Sequence, residues 1–150
     1  MNQTADELAI RNLVARYADA VNRYDAETWG ATWAEDAEWN LRPGESRTGR
    51  RAIMEFWNAI MATLEFAIMI PGSGQVSIHG DQASGRWYML EIVEEKHGRG
   101  SHITGVYNDH YRKINGQWHI QSRQYHMLYE TPASSEGIYR TMPVEQQVKL

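Results

Sequence analysis

The sequence predicts an α+β domain: three N-terminal helices covered by a curved, mixed but mostly antiparallel sheet. Two observations carry this. The hydrophobic period changes from 3.6 to 2 near residue 65, so helices come first and strands afterwards. Turn chemistry then punctuates the second half at Pro71–Gly74, Gly80–Asp81, His97–Gly100 and Asn115–Gly116, as hairpins require. With 150 residues, 42% of them hydrophobic and 23% charged, the chain is the size and composition of one globular domain over residues 1–150. A sheet wrapped around helices as a cone, an α+β barrel, leaves a cavity for a small ligand.

The elements follow in order. Thr4 with Glu7 three residues on has the capping-box pattern, and Leu8, Ile10, Leu13, Val14, Tyr17, Ala18 and Val21 form one apolar helix face. Asn22–Asp25 ends it, and a short helix is expected from Ala26 to Trp33. Ala37–Leu41 alternates as a short strand, closed by Arg42-Pro43-Gly44. A third helix spans Arg50–Leu64 on the stripe Ile53, Phe56, Trp57, Ile60, Met61 and Leu64. Strands are expected at Phe66–Ile70, Gln75–Ile78, Ala83–Glu94, Ser101–Lys113 and Gln117–Tyr129. Residues 130–150, with Pro132 and Pro143, read as an irregular tail.

Composition excludes several functions. The net charge is −4, without a Lys/Arg run, so a nucleic-acid partner is not expected. The chain has no cysteine, which removes disulfides, thiolate metal sites and a thiol nucleophile. No apolar run is long enough to span a bilayer, and the polar, acidic start does not read as a secretory signal. A cytoplasmic protein is the expectation. There is no His-Glu-x-x-His, phosphate loop or Gly-x-Ser-x-Gly elbow, so no metal and no cofactor are expected. Glu91, Glu94 and Glu95 read as a solvated strand edge.

Four stretches together resemble a known family: Tyr17–Asp25, Trp33–Trp39, Thr48–Phe56 and Gly105–Ile120. In order and spacing they are similar to the SnoaL-like branch of the nuclear-transport-factor-2-like superfamily. Tyr24-Asp25 followed by Trp29 is most similar to the scytalone dehydratase-like proteins. The resemblance implies a cofactor-independent lyase, dehydratase or isomerase acting on a small hydrophobic or phenolic molecule. It also implies a homodimer through a sheet face, and Tyr107, Asp109 and Tyr111 are candidates for part of that contact. The same fold hosts non-catalytic ligand-binding proteins and structural subunits like the dioxygenase β subunit.

The resemblance places Asp25 in an acid–base dyad with a histidine; an Asp before a helix is equally an N-cap. The family's histidine lies on the strand after the third helix, where this chain has Met69 and no histidine. The base must therefore come from elsewhere. His102 is the preferred partner of Asp25, although Thr104 is the better-aligned position for the family's second histidine. His126 on the last strand follows. Tyr24 is implied to polarise the substrate through bound water, against a packing role at the helix end. Arg123 and Tyr125 share a face of the last strand, where one of them suits a carboxylate or oxyanion. Trp39, Trp57 and Met69 are expected to line the pocket, as aromatic and deformable walls for a flat ligand.

Overall fold

The computed structural model describes residues 2–132 and 137–140. Helix α1 (Gln3–Asn22) is capped by Asn2, whose side chain accepts from the Ala5 amide, two residues earlier than the Thr4 cap expected. Its buried stripe, with Ile10, Leu13, Val14, Tyr17, Ala18 and Val21, is the predicted one except for Leu8, which is exposed. Helix α2 (Ala26–Ala31) stops before Trp33, which opens strand β1 (Trp33–Arg42) instead. Strand β2 (Glu45–Thr48) pairs back on β1 across the Pro43–Gly44 turn. It escaped the sequence reading because Glu45-Ser-Arg-Thr48 has no apolar residue to mark a buried face.

Helix α3 (Arg50–Thr63) is pinned at its start by Arg50, whose Nε donates to the Trp33 carbonyl at 2.8 Å. The four remaining strands are β3 (Leu64–His79), β4 (Gln82–Glu95), β5 (Gly100–Ile114) and β6 (Gln117–Pro132). Phe66–Ile70 and Gln75–Ile78 belong to one strand rather than two. Pro71–Gly74 forms a bulge there: β4 runs on past it, Met89 pairing with Pro71 and Trp87 with Gly74, and the register shifts between the two pairs. Strand β6 runs on through Glu130 to Pro132, three residues into the expected tail. Residues 133–136 and 141–150 of that tail lie outside the described residues.

The sheet order is β2-β1-β6-β5-β4-β3, with β1 and β6 parallel and the other pairs antiparallel. It is the expected curved mixed sheet around three helices, open rather than closed, with β2 and β3 as edges. Edge strand β3 is clasped by α1: Asn22 donates to the Met69 carbonyl at 3.0 Å and accepts from its amide at 2.6 Å. One amide side chain thus replaces a missing strand neighbour. At the other end of α1, Asp6 accepts from Lys113 (2.7 Å) and Trp118 (2.8 Å), tying the helix start to the β5–β6 hairpin.

The space between the helices and β1 is filled. Trp29 stacks on Trp57 at 4.7 Å, and Trp33, Trp39 and Tyr17 pack around them at 5.4–6.1 Å. Such aromatic pairs add about 0.5–1.5 kcal/mol each beyond burial. Trp39 and Trp57, expected in a pocket wall, are buried core residues.

Candidate functional site

The inner face of the sheet carries a charged network where a β protein normally places apolar residues. Asp109 on β5 and Arg123 on β6 are register partners. They form a two-pronged ion pair, Nε–Oδ1 2.8 Å and Nη2–Oδ2 2.7 Å, with both side chains fully buried. Tyr111 donates its hydroxyl to Asp109 at 2.5 Å, and the Trp87 indole N–H donates to Tyr111 at 2.8 Å. The guanidinium lies between the rings of Tyr17 and Tyr107, 4.3 and 4.1 Å from their centroids. Burial opposes the charge of Arg123, but the Asp109 carboxylate wins and holds it firmly protonated. Burial likewise pushes the Tyr107 and Tyr111 hydroxyls well up, so they stay neutral donors.

Next to this network stands an uncommitted acid. Glu91 on β4 pairs in register with Met69 and Ile103. It shares the parity of Trp87 and Met89, which face the helices and are buried. Its side chain is partly buried. Among the described residues no hydrogen bond or ion pair engages its carboxyl. Burial pushes that carboxyl up to about 7, with the charge of Arg123 pulling the other way.

Tyr125 on β6 lies over Gly105. A Cβ at residue 105 would stand 2.5 Å from the Tyr125 hydroxyl and 2.2 Å from its ring, so only glycine lets the ring lie there. Gly105 pairs with Met89, one inward position from Glu91. Burial first, then the charges of Glu91 and Glu130, raise the Tyr125 hydroxyl and keep it a neutral donor. A carboxyl poised between its two forms and a neutral hydroxyl therefore share one wall, backed by a buried cation. Such a wall can move a proton.

The structure separates most of the expected site. Asp25 caps α2, accepting from the Thr28 amide at 3.0 Å, and that bond holds its carboxyl below the usual range. Strand parity removes its partners. Gly105 and Tyr107 face in, so His102 and Thr104 face out, opposite Ile92 and Leu90. His126, opposite Val106, also faces out and is exposed. His79, His97 and His110 are exposed as well. His119 is half-buried against the Ala31 carbonyl, and burial lowers its basicity. The Asp25–His102 dyad is thus not formed. Tyr24 is 42% exposed at the left-handed position after α1, φ 56°.

Met69 does face the inner side, beside Glu91, and Arg123 and Tyr125 share the inner face as expected. Tyr107, Asp109 and Tyr111, considered for a dimer contact, are buried on that same face. Glu91 was missed because it was grouped with Glu94 and Glu95. The signal lay in the strand's alternation, where Trp87, Met89 and Glu91 share one parity. A separate groove of about 580 Å³ runs between α1, α2 and the β5–β6 turn, lined by Arg16, Thr28 and His119 among others, and holds none of the expected site residues.

The description of the SnoaL-like domain matches residues 2–124. No curated protein matches the chain. Several solved structures do. The type 3 hexachlorocyclohexane dehydrochlorinase of Novosphingobium barchaimii is 20% identical, with a TM-score of 0.82 over 94% of this chain and 97% of that one. A protein of Novosphingobium aromaticivorans provisionally named a scytalone dehydratase is 20% identical, with a TM-score of 0.81 over 97% of both. An NTF2-like protein of N. aromaticivorans with a cystatin-like fold is 26% identical, with a TM-score of 0.71 over 83% of both. Among the described residues no helix is long and apolar enough to cross a membrane.

Proposed function

The chain belongs to the SnoaL-like domain family, and from that premise we propose that it is a cofactor-independent lyase or isomerase of a small, flat, largely apolar molecule. The observation that carries this reading is the unengaged Glu91 carboxyl beside Tyr125 on an inner face that otherwise carries apolar and aromatic side chains and the self-paired Arg123 and Asp109. Lyase and isomerase steps begin by taking a proton from carbon. A group poised near neutrality gives the best compromise between being ionised and being basic. The fold neighbours named for a dehydrochlorinase and a scytalone dehydratase support the same class of chemistry.

The test is solvent exchange. Incubation with enolisable aryl ketones such as 2-tetralone in D₂O is expected to place deuterium at the α-carbon faster than buffer alone. Binding seen by tryptophan quenching, without exchange, would contradict catalysis and leave a ligand-binding protein. That second reading has its own support, since among the described residues no histidine is hydrogen-bonded to Asp25, whose carboxylate caps α2.

We propose further that two copies pair through the convex sheet face. Ile70, Leu90, Thr104 and Tyr129 form one row across four strands there, and three of them are exposed large hydrophobics. Light scattering is expected to give twice the chain mass of 17.3 kDa; the single mass at micromolar concentration would contradict pairing.

A further inference from the structure

We infer that Glu91 is the proton acceptor of this site, that Tyr125 donates to the substrate's oxygen, and that the substrate is a neutral carbon acid with its reactive C–H next to a carbonyl-type oxygen. This rests on the reading that the inner face is a catalytic site, and adds the group and the substrate class. Three features carry it. The register places Glu91 inward between Met69 and Ile103, in an apolar frame that disfavours a bound anion and favours a neutral ligand. Gly105 holds open the space in which the Tyr125 ring lies, one inward position away. Arg123 gives Nε and Nη2 to Asp109 and leaves its buried Nη1 without a partner among the described residues, but the Asp109 carboxylate balances its charge, so it acts as a fixed background to the site rather than as a free clamp for a carboxylate substrate.

A carboxylate oxygen of Glu91 takes the proton from carbon. The C–H electron pair moves into the adjoining bond, and the substrate oxygen becomes an oxyanion that accepts from the Tyr125 hydroxyl. Return of the proton to another carbon completes an isomerisation; departure of a neighbouring group with the electron pair completes a lyase reaction. Glu91 faces groups from every element around it: Tyr17 on α1, Tyr107 on β5, and Arg123 and Tyr125 on β6. Only Arg123 among them is charged at neutral pH. Its positive charge favours the carboxylate, so ionisation is within reach despite burial.

The probe is 5-nitrobenzisoxazole, a flat neutral aromatic. Loss of its ring C–H proton to a carboxylate forms the nitrile, breaks the N–O bond and releases a coloured cyano-nitrophenolate. The full chain is expected to accelerate this beyond free carboxylate in buffer, with kcat/KM rising with pH through an apparent pKa near 7. Glu91→Gln, of equal size, should lose about 100-fold or more in kcat with probe binding retained. Glu91→Asp should retain part of the rate and of the pH profile. Tyr125→Phe should lower kcat with little change in KM. Turnover of Glu91→Gln at the wild-type rate would overturn the assignment. So would failure of the probe to bind, which would mean that no ligand reaches Glu91, or binding without turnover. Acceleration of this probe together with no deuterium uptake by the ketones would keep Glu91 as a base and refute the lyase or isomerase reading.

Discussion

At residue 91 the chain bears a stability cost. A glutamate that is neutral in the fold and ionised in the unfolded chain favours unfolding once the pH passes its ordinary value. Its pKa rises from 4.5 to about 7 on folding. The contribution is therefore absent below about pH 4.5, grows as pH rises through the interval, and is complete above 7. Its size is at most roughly 3 kcal/mol. Glu91→Gln is expected to be more stable than wild type at pH 8 and nearly equal to it at pH 4.5, by urea unfolding. An unchanged difference between the two pH values would contradict a buried neutral carboxyl. Carboxylates that stabilise through bonds in the fold, such as Asp25 at its cap, act in the opposite sense and are lost on acidification. Tyr24 is a second costly residue. It occupies the left-handed position that ends α1, with the Tyr24 and Asp25 amides returning to the Val21 and Ala20 carbonyls. A non-glycine residue there costs about 1–2 kcal/mol. Tyr24 and Asp25 were legible in the sequence as a pair, but their place at a helix junction gives them a structural duty that the pattern alone does not separate from chemistry.

At the scale of elements, legibility followed how strongly each segment's chemistry fixes its geometry. Asn115–Gly116, both with positive φ, form the predicted hairpin turn. Helices α1 and α3 match their apolar stripes apart from Leu8, which is exposed, and Leu64, which opens β3. Strand β2 was invisible because it is short and polar, and β3 looked like two strands because Pro71–Gly74 carries the composition of a turn. Whether such a stretch turns the chain or bulges it is decided by the neighbour, here β4, which runs straight past it. The site was less legible for a related reason. Parity along one strand can be read from sequence, and it places Glu91 with Trp87 and Met89. The pairing of Asp109 with Arg123 is a matter of register between β5 and β6, which includes a shift between His110 and Tyr111, and no single strand announces it. Removing either member alone would strand a buried charge, at about 3–5 kcal/mol. The pair therefore belongs to the scaffold as much as to the site.

For the whole molecule, the helices-first order and the change of period suffice for the architecture, and the family resemblance agrees with it. The location of the chemistry does not follow from the fold. Asp25 and the six histidines were the conspicuous candidates, yet the strand pleat turns His102 and His126 outward and the α2 cap occupies Asp25. The inner face retains a different set: Glu91, Tyr125 and the buried Arg123–Asp109 pair. The central claim is that Glu91 is the titrating acid of that face. Carbon-13 NMR titration of its side-chain carboxyl tests this most directly. A midpoint near 7 is the predicted result, and a midpoint near the ordinary 4.5 would contradict it.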